Sequence, residues 1–314
     1  STSAPRWELE TTTLDPATVE QLQALGYVGN SSDPDQDGLD PRDGLAQVER
    51  FHKALQAPPS RQLNLLTRLL EEVPGMRDAR IRLSLLHARA GDLTGAMAQL
   101  TTAYQRTPDS TVALMLAEQW LQARDYREAL HWFREALDHD PRSMDARAGE
   151  VEALALLGRT AEAAALADLA LTEAPDHARL VTARAQVAAV GQEPVAPWRD
   201  RVLEIAEQRP FEPRLLHTAG TLSRLSGDLI RAEDLLRDEL RWRPANIAAR
   251  LELLDLYREQ GRNVDAFKTL RPLLALEPEE PRWNALAAQT LLAMGREHTA
   301  APYRRACTGH PLCP

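Results

Sequence analysis

STVALMLAEQWLQARDYREALHWFREALDHDPRS, residues 110–143, places its apolar residues in two helical stripes separated by a short polar break. Leu116, Ala117 and Trp120 share one helical face ahead of Ala123-Arg124-Asp125. Tyr126, Ala129, Phe133 and Ala136 form a second stripe, and Pro141 closes it. The stretch is a helix, a turn, a second helix and a stop. Proline ends the second helix because it has no N–H to continue the ladder.

The pattern recurs along the chain. Prolines that follow a helical pattern fall at Pro74, Pro108, Pro141, Pro175, Pro210, Pro244, Pro278 and Pro311, separated by 34, 33, 34, 35, 34, 34 and 33 residues. Gly91, Gly158, Gly227 and Gly261 each lie 17 residues before one of these prolines, and Ala96, Ala129, Ala163, Ala232 and Ala266 lie 12 before one. A period in this range marks stacked supersecondary units. Glycine supplies the left-handed backbone that closes a first helix. Alanine sits where two helices cross and a larger side chain would hold them apart. One helix pair cannot bury its own apolar face, so neighbouring pairs must stack.

These residues resemble the tetratricopeptide-repeat family: Leu116-Ala117, Trp120, Tyr126, Ala129, Phe133, Ala136 and Pro141 follow its pattern through 110–143. Residues 247–280 follow it with Tyr257, Gly261, Ala266, Leu270 and Pro278, and 213–244 with Gly220, Gly227, Ala232 and Pro244. The resemblance implies an all-α, right-handed superhelical solenoid of about seven to eight helix–turn–helix units. Units are expected near 44–76, 77–109, 110–143, 144–177, 178–212, 213–246 and 247–280, with a capping pair at 281–306 and a tail at 307–314. Two units depart from the pattern. The first carries Ala57-Pro58-Pro59 where the glycine turn belongs, and Pro194, Pro197 and Trp198 predict a late second helix in the unit ending at Pro210.

Residues 1–43 lie outside the period. Asp15 as N-cap, Pro16 at the first helical position, then Leu22 and Leu25 before Gly26 predict a short helix, followed by a linker. Leu14-Asp15-Pro16, Leu22, Leu25-Gly26-Tyr27-Val28 and Asp40-Pro41-Arg42-Asp43 are similar to the tail of bacterial sulfatase-like hydrolases that continue into a repeat array. That resemblance implies an accessory region whose catalytic half is elsewhere. The family's C/S-x-P-x-R motif is missing: Cys307 is followed by Thr-Gly-His, and Ser3-Ala4-Pro5-Arg6-Trp7 lacks the closing arginine. Asp33, Asp35, Asp37 and Asp40 alternate around Gly38, a spacing that suits either a structural calcium turn or an acidic solvated linker. An EF-hand is excluded, since Gly44 stands where its bidentate Glu belongs. Asn30-Ser31-Ser32 is a formal glycosylation sequon, read as coincidence in a bacterial chain.

Composition agrees with a folded helical chain. Of 314 residues, 44% are hydrophobic, largely Ala and Leu, and only 5% are aromatic, which suits helix-on-helix packing and not strands. The net charge of −9 and the absence of a basic stripe argue against nucleic acid. Lys occurs only at 53 and 268, so the basic residues are nearly all Arg. No apolar run approaches the roughly 20 residues of a membrane span. The chain opens on Ser1, as a processed product or a fragment would. Cys307 and Cys313 lie six apart; a local disulfide is expected in an exported protein, two free thiols in a cytosolic one, and a metal site in CTGHPLC is the remote third case. Export to the periplasm or beyond is the expected location, with the cytoplasm as alternative.

No phosphate loop, HExxH, GxSxG or CxxC occurs, and the eight histidines lack ligand spacing, so no catalytic residues or cofactor other than structural calcium are expected. The expected function is a non-catalytic scaffold that holds a protein partner or peptide in its concave groove. The alternatives are the sulfatase-linked accessory region and a subunit that self-associates end to end. Groove residues should lie off the buried stripe of each first helix: Glu118, Gln122, Glu152, His217, Thr221, Arg224, Asp255, Arg258 and Glu259. The family's known carboxylate clamp uses Lys and Asn where this chain has Leu114, Glu118, Leu251 and Asp255, so that clamp is missing. The groove charges suit a basic or polar segment. Trp120, Trp132 and Trp242 are expected in packing.

Overall fold

A computed structural model describes residues 41–209, 212 and 214–314. The expected N-terminal helix, the sulfatase-like phrase up to Asp40, the Asp33–Asp40 turn, the sequon and Pro210 lie outside the described residues. Among the described residues there are sixteen helices in eight successive pairs and no strand, an all-α helical-repeat solenoid. The chain divides into two compact units, one ending at Pro141 and one beginning at Arg142.

The first unit holds three pairs: α1 (Pro41–Gln56) with α2 (Pro59–Glu72), α3 (Arg77–Arg89) with α4 (Leu93–Arg106), and α5 (Ser110–Gln122) with α6 (Tyr126–His139). The first helix is already formed at Pro41, three residues ahead of the expected boundary at 44; a proline's fixed φ is compatible with a first turn. The starts of the next helices are legible in local chemistry. Asp92, Asp109 and Asp125 each accept the backbone N–H three residues on and satisfy a donor that the helix itself cannot. Gly91 closes α3 at φ 78°, and Arg124 holds the same turn after α5 at φ 62°. Ala96 and Ala129 are fully buried at the crossings within their pairs. Phe51, Leu66, Leu69, Met76 and Leu83 form one core across the first two pairs. Leu100, Val112 and Leu116 continue it, flanked by Tyr104 and Trp132 in an edge-to-face contact at 5.1 Å.

The second unit holds five pairs. These are α7 (Met144–Leu156) with α8 (Thr160–Glu173), α9 (Ala178–Val190) with α10 (Ala196–Gln208), and α11 (Leu215–Leu225) with α12 (Leu229–Trp242). They continue as α13 (Ile247–Glu259) with α14 (Asn263–Leu276), and α15 (Pro281–Ala293) with α16 (Glu297–Ala306). Helix α10 does start late, after residues 191–195, where the other turns within pairs of this unit take three residues. Arg184 braces that longer turn. Its guanidinium lies 4.7 Å from the Trp198 ring and donates to Asp168 at 2.7 Å and to Glu193 at 2.8 Å. Helix α7 packs directly on α9, α9 on α11 and α11 on α13, whereas second helices of neighbouring pairs make at most marginal contact among the described residues. Within this unit the first helices therefore line the tighter, inner side.

Candidate functional site

The inner side of the second unit carries a series of polar bonds from one first helix to the next. It begins at Glu152 on α7, whose carboxylate accepts from Arg214 at 2.7 Å and from Arg179 on α9 at 3.3 Å. Arg214 stands just before α11 with a left-handed backbone, φ 70°, a conformation costly for a residue with a Cβ. A second node forms at Glu252 on α13. It accepts from the Thr221 hydroxyl at 2.6 Å and from Arg224 at 3.3 Å, and pairs with His217 Nε2 at 3.1 Å. Arg224 also reaches Glu259 at 3.2 Å. Arg258 donates to Gln289 on α15 at 2.9 Å, and Gln289 donates to the Leu312 carbonyl at 2.5 Å.

The last bond brings the C-terminal tail onto this face. Cys307 and Cys313 are joined, with an S–S distance of 2.01 Å, so the tail folds back after α16 and cannot swing away. Gly309 makes the reversal at φ 89°.

Electrostatics distinguish the carboxylates. Burial pushes the Glu252 carboxyl upward, but the bonds from His217 and Thr221 and the Arg224 charge outweigh it and hold it below its usual 4.5. Asp255 moves the other way: burial raises it above 3.8, against Arg258 and Arg224 and with help from Glu259 and Glu252. At the first node, two arginines meet one carboxylate; towards α13, Arg224 and Arg258 face Glu252, Asp255 and Glu259. Towards α13 the face therefore carries more carboxylates than guanidinium groups among the ion pairs of that end, whereas the Glu152 carboxylate is matched by arginines.

The residues nominated from sequence fall into three groups. His217, Thr221 and Arg224 converge on one carboxylate, and Asp255, Arg258 and Glu259 lie beside them on α13. Glu118 and Gln122 stand a turn apart on α5 of the first unit, half-buried and exposed respectively. Glu152, expected off the buried stripe, is instead 6% exposed. Helix α7 is covered by α9, and the buried carboxylate is compensated by the two guanidinium groups that reach it. Sequence reasoning missed Glu252, Arg179, Arg214 and Gln289. Glu252 could have been found, since it lies 35 residues after His217, one repeat on. Among the described residues no cluster of His, Cys, Asp and Glu could hold a metal ion, and no helix is long and apolar enough to cross a membrane. The expected calcium ligands lie outside the described residues.

The class is thus a helical-repeat array with a polar inner face. Two family models, both described as tetratricopeptide repeat, match residues 63–111, 121–187 and 224–290. Together they span more than half of the chain, which belongs to the tetratricopeptide-repeat family. No curated protein matches the sequence. Among solved structures, a thermophilic tetratricopeptide-repeat protein from Thermus thermophilus is 18% identical. It has a TM-score of 0.51, with 57% of this chain and 98% of that chain covered. A human IFIT1 dimer solved with m7Gppp-AAAA is 14% identical, with a TM-score of 0.57 over 85% of this chain and 68% of that one. A tetratricopeptide-repeat protein from Parabacteroides merdae is 18% identical, with a TM-score of 0.48 over 75% and 94%. At these identities the likeness is one of fold.

Proposed function

We propose that this chain is a non-catalytic scaffold that holds a protein segment against the first helices of residues 144–306. The observation that carries the proposal is the node at Glu252, where side chains of α11 are fixed against α13 by three bonds. A face whose side chains are already ordered loses little entropy when a partner arrives. The carboxylates gathered at Glu252, Asp255 and Glu259 favour a segment that carries basic residues at that end. A nucleic-acid ligand, of the kind present with human IFIT1, fits less well, since the guanidinium groups of this face already serve carboxylates and the net charge is −9. The Cys307–Cys313 bond supports an oxidising compartment, hence export.

The test reverses the exposed acidic end. A partner captured by the native chain should bind Asp255→Lys with Glu259→Lys about tenfold more weakly, with helical content unchanged. Undiminished capture by that variant, or binding of a capped oligonucleotide in place of protein, would sink the proposal.

One sequence feature favours a further role. The sequence of motif pieces from Leu14 to Asp43 supports a link to a sulfatase-like hydrolase, for which this array would be the accessory region. A C/S-x-P-x-R motif encoded upstream in the same reading frame would establish it, and a frame holding only a signal peptide there would dismiss it.

A further inference from the structure

We propose that the groove of the first helix pair, between α1 and α2, is a docking site for an acidic peptide segment of a protein partner, distinct from the inner face of the second unit. A cavity of about 520 Å³ opens there, lined by Lys53 and Gln56 of α1, Ala57 and Pro58 of the turn, and Arg61, Asn64, Leu65 and Arg68 of α2. The sequence explains the lining. Lys53 and Gln56 are three apart on α1, and Arg61, Asn64, Leu65 and Arg68 recur at helical spacing on α2. Gln62, Leu66, Leu69 and Leu70 turn into the core, so this cationic stripe is the opposite face of the same helix.

Two properties separate this groove from other basic surface. Arg77, Arg147, Arg184 and Arg262 each hold a carboxylate of the chain. Lys53, Arg61 and Arg68 hold none among the described residues, and no carboxylate lines the cavity. Among the described residues these three cations gather without a counter-charge, a positive site in a chain of net charge −9. The lining is also apolar and amide-bearing: Leu65 is 40% exposed beside Ala57 and Pro58, with Gln56 and Asn64 at hand.

That chemistry selects a peptide. Arg61 and Arg68 lie about 10 Å apart along the axis at 1.5 Å per residue. About three residues of polyproline II chain cover that length, at about 3.1 Å each, and its threefold repeat returns the first and fourth side chains to the same face. A Glu-x-x-Glu segment with an apolar residue between its acids would set one carboxylate on each arginine and its apolar side chain on Leu65. Guanidinium groups favour carboxylates through paired N–H donors. A nucleic acid would instead need a longer run of cations than these three, and the overall negative charge repels it.

The experiment measures fluorescence anisotropy of a labelled Leu-Glu-Leu-Leu-Glu peptide against the full chain. Binding should weaken as salt is added and fall about tenfold in Arg61→Glu with Arg68→Glu. Arg271→Glu, an exposed charge on α14, should leave it unchanged and so controls for net charge. Arg61→Gln with Arg68→Gln serves in place of the reversal if helical content changes. The proposal is overturned if the peptide fails to bind, if binding survives the loss of both arginines, or if an oligonucleotide displaces the peptide at lower concentration than unlabelled peptide does.

Discussion

At the scale of single residues, the turn inside each pair shows how one position decides local strain. Gly91, Gly158, Gly227 and Gly261 take φ between 71° and 83°, which costs glycine nothing. Arg124 and Gln192 occupy the corresponding turns at φ 62° and 58°, where a Cβ presses on the following carbonyl at about 1–2 kcal/mol. Replacing Arg124 by Gly should therefore stabilise the first unit by about 1 kcal/mol, partly offset by the freer unfolded chain. A urea midpoint that stays put or falls would show the strain to be relieved elsewhere. This position was legible in the sequence, because the glycine period has a visible gap at Arg124. The Arg184 brace was not: its partners Asp168, Glu193 and Trp198 lie 16, 9 and 14 residues away, and no local pattern links them. The buried Glu152 was hidden for the same reason, since its two arginines come from later pairs.

At the scale of elements, the proline period located the ends of the second helices, yet two prolines stand inside helices. Pro272 lies within α14 and Pro302 within α16. Each removes a backbone N–H, so the carbonyl four residues earlier loses its helical partner. Pro272 is exposed, which leaves packing little part in the outcome of replacing it. Pro272→Ala should restore the bond to the Lys268 carbonyl and raise stability by up to about 3 kcal/mol. Thermal unfolding measures this, and an unchanged midpoint would mean that the helix bends around the proline without strain. The late start of α10 was readable from Pro194 and Pro197, whereas the start of α1 at Pro41 was not, because an Asp-Pro-Arg-Asp run reads equally as linker or first turn.

At the scale of the molecule, repeats stack by apolar burial, but the inner face is held by ion pairs and therefore responds to pH. Glu252 is the informative group. Its carboxyl lies below 4.5 in the folded chain because His217, Thr221 and Arg224 favour the charged form more than burial opposes it. Glu233 is likewise depressed, by the bond from Arg262 first and then by that from Tyr257. A carboxyl depressed on folding contributes stability that is complete above its unfolded value and is lost as pH falls through the folded one. Asp255 has the opposite sign: burial raises its carboxyl, so its charged form opposes folding at neutral pH, and protonation relieves that. Stability should thus decline below about pH 4.5 as Glu252 and Glu233 take up protons, with Asp255 softening the decline. In Glu252→Gln the neutral-pH stability should be lower and the acid slope shallower, because the amide keeps a hydrogen-bond acceptor but has no charge to lose. Urea midpoints taken from neutral pH downward on both proteins decide the matter. Parallel curves would show that Glu252 does not link the first helices in solution, and the inner face would then lose the pre-ordered node on which its role in partner binding rests.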